Sequence, residues 1–276
     1  MSAAVRFRAS AEGIAGLSVL ALLGLVALLA PVLHPGDPLD IVGPPLTRPF
    51  TVAATPLGTD RLGRDVLAMI VHGTRTSLTV GLAAAFVAIA VGVAVGTLAG
   101  LLGRWVDETL MRVTEAFQTV PGFLLALAFV STVGPSLATV VVAIALGAWT
   151  GPARLVRAEV LSIRERDFVA AARVIGMHPL AIAVREVLPH ALPPVVSLAA
   201  VIVAGAILTE AALSFLGLGD PNRATWGGLI AEGRSVLRSA PFLSIWPGLA
   251  LVVTVLGVHL AGEGVVAALA LRRSRP

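Results

Sequence analysis

His259 and Glu263 stand four residues apart in an apolar stretch, which places an imidazole and a carboxylate on one helical face. Such a pair can relay a proton or supply two ligands to a metal. Two ligands are too few for a metal site by themselves, and a structural hydrogen bond satisfies the same residues. Glu210 is a second ionisable group inside an apolar run, where an unpaired carboxylate is costly. It is either a contact for a molecule outside the chain or a carboxylate hydrogen-bonded between helices. Glu115 and Gln118 lie early in another apolar run, at a depth expected to match the membrane interface.

Missing residue types narrow the chemistry further. The 276 residues include no cysteine, which removes disulfides, thiolate metal sites and cysteine nucleophiles. Every basic residue is an arginine, so the G-x-x-x-x-G-K-[ST] phosphate loop cannot form for want of its lysine. H-E-x-x-H and G-x-S-x-G are absent as well. The expectation is a chain with no catalytic residue, no metal and no cofactor of its own. If ATP drives it, another chain binds the nucleotide.

The elements that carry these residues are membrane spans. Hydrophobic residues make up 57% of the chain and charged ones 13%, a balance suited to a protein whose solvent is largely lipid. Apolar runs of spanning length recur near 13–33, 78–102, 113–133, 137–151, 192–216 and 243–271. The fold class is therefore an all-α membrane protein of about six transmembrane helices. The first run follows Arg6 and Arg8 and exceeds the apolar core of a signal peptide, so it reads as an uncleaved span.

Residues 35–76 carry Pro35, Pro38, Pro44, Pro45, Pro49 and Pro56, a density that no lipid-exposed element survives. This is the outer loop, with Asp60 to Thr76 expected as a helix along the membrane surface. The organisation is then an inner N-terminus (1–12), a first span (13–34), the outer loop (35–76) and a five-span core (77–271). Within the core lies a polar inner loop, 152–190, and a short tail, 272–276, closes the chain. Both termini inside puts thirteen arginines on the inner side and seven on the outer, as the positive-inside rule asks. The arginines form no continuous stripe, which argues against nucleic acid. Ala84, Ala88, Gly92, Gly96 and Gly100 repeat every fourth residue and predict a close helix crossing. Pro121 predicts a kink, and Trp105, Trp149, Trp226 and Trp246 are expected as interfacial anchors.

The most patterned segment is Asp167 to Pro189, DFVAAARVIGMHPLAIAVREVLP. It reads as a short helix of small residues closed by Gly176, followed by a second amphipathic stretch. Alanines on an exposed helix make a slim peg whose backbone can enter a groove in a partner.

That segment resembles the cytoplasmic E-A-A-x-x-x-G motif of ATP-binding-cassette importer permeases, which closes nine residues later on I-x-L-P. Ala171, Ala172, Gly176, Leu188 and Pro189 match, while Ala170 stands in place of the motif's Glu and Glu186 in place of its Ile. Residues 56–66, PLGTDRLGRDV, look like the signature of the dipeptide, oligopeptide and nickel permeases. Trp105 to Glu108, Ala153 to Arg157, Leu208 to Gly219, Trp226-Gly227 and Ala240-Pro241 are similar to the same family in order. Near the end, Gly262 to Ala267 keeps only the acidic and glycine part of the family's G-D-G-L-R-D pattern.

The resemblance, to the second permease of the pair, implies a type I importer permease fold in a bacterial cytoplasmic (inner) membrane. It implies a second homologous permease, two ATPase subunits that bind ATP and Mg, an extracytoplasmic binding protein and surrounding lipid as partners. Asp167, Ala170, Ala171, Ala172, Arg173, Gly176, Met177 and His178 would dock the ATPase. Glu210, His259 and Glu263 remain candidates for the pathway or for interhelical bonds. Peptides are the expected cargo, with nickel complexes or another small solute behind them. A secondary transporter is the rival, but it calls for coupling acids or interrupted helices at matching positions of two halves, and the sequence displays neither. An intramembrane hydrolase lacks its nucleophile.

Overall fold

Asp65 sets where the long central helix begins. Its side chain accepts the Leu67 N–H at 2.9 Å, and from there the backbone runs unbroken through Val66–Leu102. The computed structural model describes residues 11–270, and all helices below lie within them. In chain order they are α1 (Ala11–Leu33), α2 (Val66–Leu102), α3 (Arg104–Gln118), α4 (Gly122–Val133), α5 (Leu137–Ala148) and α6 (Thr150–Ile163). Then come α7 (Asp167–Val174), α8 (Pro179–Ile182), a π-helical segment (Ala183–Val187), α9 (Leu188–Phe215), α10 (Trp226–Arg234) and α11 (Phe242–Ala270).

Four helical runs are long and apolar enough to cross a membrane: α1, α2, the continuous 179–215 run and α11. The pairs α3–α4 and α5–α6 are bent by 81° and 44°, and each taken as one span gives the expected six. Pro121 accounts for the first break. At the second, Gly147, Gly151 and Pro152 flank Trp149, and Pro152 has no N–H to continue the ladder. The sequence displayed no matching interruptions, yet these two neighbouring spans are both broken.

The four-residue stripe of small side chains holds α2 against α6. A Cβ added at Gly96 would fall 2.3 Å from the Ala153 carbonyl oxygen, and one at Gly92 2.6 Å from that of Trp149. Backbone meets backbone there, so any side chain pushes the helices apart. Beside this seam, Val80, Ala84 and Ala85 of α2 pack with Ala126 and Val130 of α4, Val140, Ala143 and Ile144 of α5, and Ala206 and Leu213 of α9. α1 lies along α11, with Gly16 directly on the Leu260–Ala261 backbone.

Three expectations change. The segment from Asp60 to Thr76 is not a surface helix: residues 34–65 are held by turns and by isolated bridges Ile41↔Arg64 and Thr59↔Asp65, and α2 starts already at Val66. Residues 152–190 are largely helical, because α6 continues the fourth span down to Ile163. Only Trp105 of the tryptophans is exposed like an anchor. Trp226 is fully buried and donates Nε1–H to the Ile70 carbonyl at 3.2 Å, while Trp149 stacks edge-on to Phe117 with ring centres 5.4 Å apart. Arg6, Arg8, Arg272, Arg273 and Arg275, counted above toward orientation, lie outside the described residues.

Candidate functional site

α7 is a peg with a fixed base. Val169 is fully buried and Ala172 nearly so, packed with Val156, Val160 and Ile163 of α6 and with Ile182 and Val187 beyond the turn. Phe168 and Met177 flank the same cluster. The opposite face is open: Asp167, Ala170, Ala171 and Arg173 are exposed. Asp167 sits in the first turn and Arg173 in the last, each at the end of the helix dipole that favours its charge.

The peg ends in a Schellman cap. Gly176 takes φ +83°, its N–H reaches the Arg173 carbonyl, and the Met177 N–H reaches the Ala172 carbonyl, both at 3.1 Å. No heavy atom lies within 4 Å of where a Gly176 Cβ would sit, so glycine is required here by backbone conformation alone. His178 then starts α8, its Nδ1 accepting the Leu180 N–H at 3.3 Å, with Pro179 at the first helical position. Around the turn that joins the two short helices three apolar side chains stand out: Val174 at the end of α7 is 87% exposed, Ile175 77%, and Leu180 in α8 67%. All eight predicted residues thus fall on one α7–α8 hairpin, but Ala172 and Met177 face inward and support the hairpin instead of its outer surface.

Behind α8 the helix changes register. The π segment is followed by Pro189, Pro193 and Pro194, none of which can donate to the ladder. His190 Nδ1 lies 2.6 Å from the Glu186 carbonyl oxygen, and its ring stacks 5.1 Å from that of Phe168 on α7. The peg and the break in the long helix therefore touch.

The other candidates separate. Glu210 is buried in α9, where Ser214 Oγ donates to its Oε1 at 2.7 Å and Ser77 of α2 stands against the same carboxylate. Ser214 and Glu210 share one helix, so the bond runs along it. His259 and Glu263 are both exposed on α11, and no group of three or more His, Asp or Glu among the described residues could hold a metal ion. Glu210 is not brought to them.

Two polar clusters were not foreseen. Asp107 of α3 takes both Nε and Nη2 of Arg157 on α6, at 2.5 and 2.7 Å. In the 34–65 segment, fully buried Asp60 accepts the Leu62 and Arg64 N–H groups and the Arg64 Nε, and Arg64 Nη2 reaches Glu232 on α10. Burial pushes the Glu232 carboxyl above its ordinary value, against the opposing pull of the Arg64 guanidinium. A cavity of about 250 Å³ opens beside this pair, lined also by Asp220, Arg223 and Thr225. Asp60 and Arg64 belong to the PLGTDRLGRDV run that stood out in the sequence, but nothing in the sequence pointed to Glu232 as their partner.

Comparison with known proteins follows the same lines. Residues 92–275 match the family described as binding-protein-dependent transport system inner membrane component. A probable peptide ABC transporter permease of Sinorhizobium fredii is 44% identical over 241 residues, covering 87% of this chain and 82% of that protein. The nickel transport system permease of Escherichia coli is 37% identical over 249 residues, covering 90% and 89%. Among solved structures, the methionine ABC transporter MetNI in inward-facing conformations superposes with a TM-score of 0.61 at 21% identity, covering 73% of this chain and 96% of that one. That likeness concerns the fold. The chain belongs to the binding-protein-dependent transport system inner membrane components, the multi-pass permease subunits of ATP-binding-cassette importers.

Proposed function

We propose that this chain is one of two permeases in a peptide importer of the cytoplasmic membrane, and that its α7–α8 hairpin docks an ATPase subunit. The observation that carries the docking is the exposed Val174, Ile175 and Leu180 at the tip of a hairpin whose base is rigidly packed. Large apolar side chains exposed around one turn are costly to leave in water, and patches of that kind mark surfaces where a partner docks. The alanine face beside them keeps the approach slim. Asp167, Ala170, Ala171, Arg173, Gly176 and His178 form the outer surface, with Ala172 and Met177 beneath.

In this reading the hairpin end is cytoplasmic, both termini are on that side, and residues 34–65 with α10 face outward. ATP and Mg are bound by two partner ATPase subunits, and this chain has no catalytic role and no cofactor. A second homologous permease completes the pathway, and an extracytoplasmic binding protein delivers cargo. Peptide is favoured as cargo by the Sinorhizobium relative, whose name carries it.

The experiment is co-purification and uptake. Ala171→Trp, placed on an exposed surface, is expected to leave the chain folded but to abolish ATPase co-purification. Wild-type proteoliposomes with all partners are expected to take up labelled dipeptide and not nickel. Undiminished ATPase binding by the Ala171→Trp variant sinks the docking assignment, and ATP-driven uptake of nickel in place of dipeptide sinks the cargo.

A further inference from the structure

The polar face of α3 lies beside the apolar stretch of α2. In α2, the stretch between Arg75 and Arg104 has no ionisable residue and centres close to Ala90. Gly92, two residues on and so about 3 Å farther along the axis, packs against the Trp149 carbonyl. Trp149 in turn meets Phe117 of α3. Phe117 packs there with Ala88 and Val95 of α2, so the α3–α4 break at Thr119 to Pro121 lies alongside the ion-free stretch of α2, where hydrocarbon would otherwise be the solvent.

α3 packs on its neighbours through Asp107, Thr114 and Phe117. Its other side exposes Glu108, Thr109, Arg112, Val113, Glu115, Ala116 and Thr119 along the whole climb, with an open groove of about 390 Å³ lined by Glu108, Thr109, Arg112, Val113 and Ala116. Gln118 and Arg154 extend that side at the break, where Arg154 Nη1 donates to Gln118 Oε1 at 3.0 Å, and both are exposed. Lipid cannot solvate such a face. A protein cover is disfavoured too, because no ion pair among the described residues includes Arg154, and burying its uncancelled charge is costly.

We infer that the exposed face of α3, with Gln118 and Arg154 at the α3–α4 break, is a wall of a water-filled pathway, and that Arg154 attracts the carboxylate of passing cargo there. The inference rests on the importer reading and adds to it a place and a ligand chemistry. Arg154 is held by a neutral amide at the break itself, while the carboxylates of this face stand lower, Glu115 one turn before Gln118 and Glu108 beside Arg112. A carboxylate-bearing solute gains from the Arg154 charge at the break, and a permanent cation does not.

The chain has no cysteine, so a single introduced cysteine is the only one it presents, and labelling is read on this subunit after its separation from its partners. In the importer assembled with its partners in proteoliposomes, Ala116→Cys and Thr119→Cys are expected to react with membrane-impermeant methanethiosulfonates at least about tenfold faster than Phe86→Cys, an exposed apolar position on α2. At Thr119→Cys the sulfonate reagent is expected to outpace the trimethylammonium reagent severalfold. Adding Arg154→Gln is expected to remove that preference, and Arg154→Lys to retain it. Reaction at Thr119→Cys no faster than at Phe86→Cys overturns the wall. A preference unchanged by Arg154→Gln, or lost equally in Arg154→Lys, overturns the role of Arg154. Labelling needs no transport, so these failures are distinct from failure of the importer reading, which shows as absence of ATP-driven uptake.

Discussion

Arg64 and Glu232, 168 residues apart, are joined by a hydrogen-bonded ion pair that fastens the 34–65 segment to α10. Arg64 also serves Asp60, so the two halves of the pair are not equivalent. Arg64→Ala strips fully buried Asp60 of its cation as well, whereas Glu232→Gln leaves the Arg64–Asp60 contact in place. Arg64→Ala is expected to cost about 2–4 kcal/mol and Glu232→Gln about half as much, read as thermal unfolding of the purified complex. Equal losses would mean that Asp60 does not depend on Arg64.

The Asp107–Arg157 pair predicts a coupled response. Its bidentate geometry ties α3 to α6, and with both groups partly covered it is worth more than a fully exposed ion pair. Asp107→Asn and Arg157→Gln are each expected to destabilise by about 1–3 kcal/mol. In a double-mutant cycle the coupling is expected to be about 1–2 kcal/mol, and a value near zero removes the pair from any structural role.

Gly96 tests the α2–α6 seam. Gly96→Leu is expected to abolish the monodisperse peak in detergent size-exclusion, because the Ala153 carbonyl occupies the space of even a Cβ. Gly24→Leu on α1, where a Cβ meets nothing within 4 Å, is the control expected to be neutral. A well-behaved Gly96→Leu protein would contradict the crossing.

Gly176 tests the cap. Positive φ costs an L-residue about 1–2 kcal/mol, less for asparagine and more for a β-branched side chain. Hydrogen exchange of residues 167–175 is therefore expected to speed up in the order Gly, Asn, Ala, Val at position 176, with ATPase co-purification falling in the same order. Protection that follows side-chain volume, with asparagine as damaging as valine, would point to a steric constraint that the open space around Gly176 does not contain.

The sequence disclosed what periodicity and composition can carry. Apolar runs gave the spans, the Ala84-to-Gly100 stripe gave the α2–α6 crossing, and Gly176 after a run of alanines gave the hairpin. The polar face of α3 lowers the hydropathy of residues 104–118, which hides that they form one continuous helix held to α6 through Asp107 and to Trp149 through Phe117. Pairings across long separations, Arg64 with Glu232 and Asp107 with Arg157, leave no local trace. Trp226 and Trp149 were misplaced for a related reason: their positions in the chain sit near span ends, but the neighbours that bury them are on α2 and α3.

The unbroken length of α2 has a mechanical consequence. Its 37 residues reach about 55 Å, well beyond a hydrocarbon core of about 30 Å, without a proline or a π turn. It behaves as a mast stepped at one end against α6, which leads into the α7–α8 hairpin, and stayed at the other by Trp226 and the 34–65 segment. If an ATPase docks on the hairpin as proposed, a torque applied there would travel along a stiff rod to the far end of α2, and the yielding would fall where the ladder is already interrupted, at Pro121, at Trp149 and between Ala183 and Pro194. The same chain thus contains both a strut and its hinges.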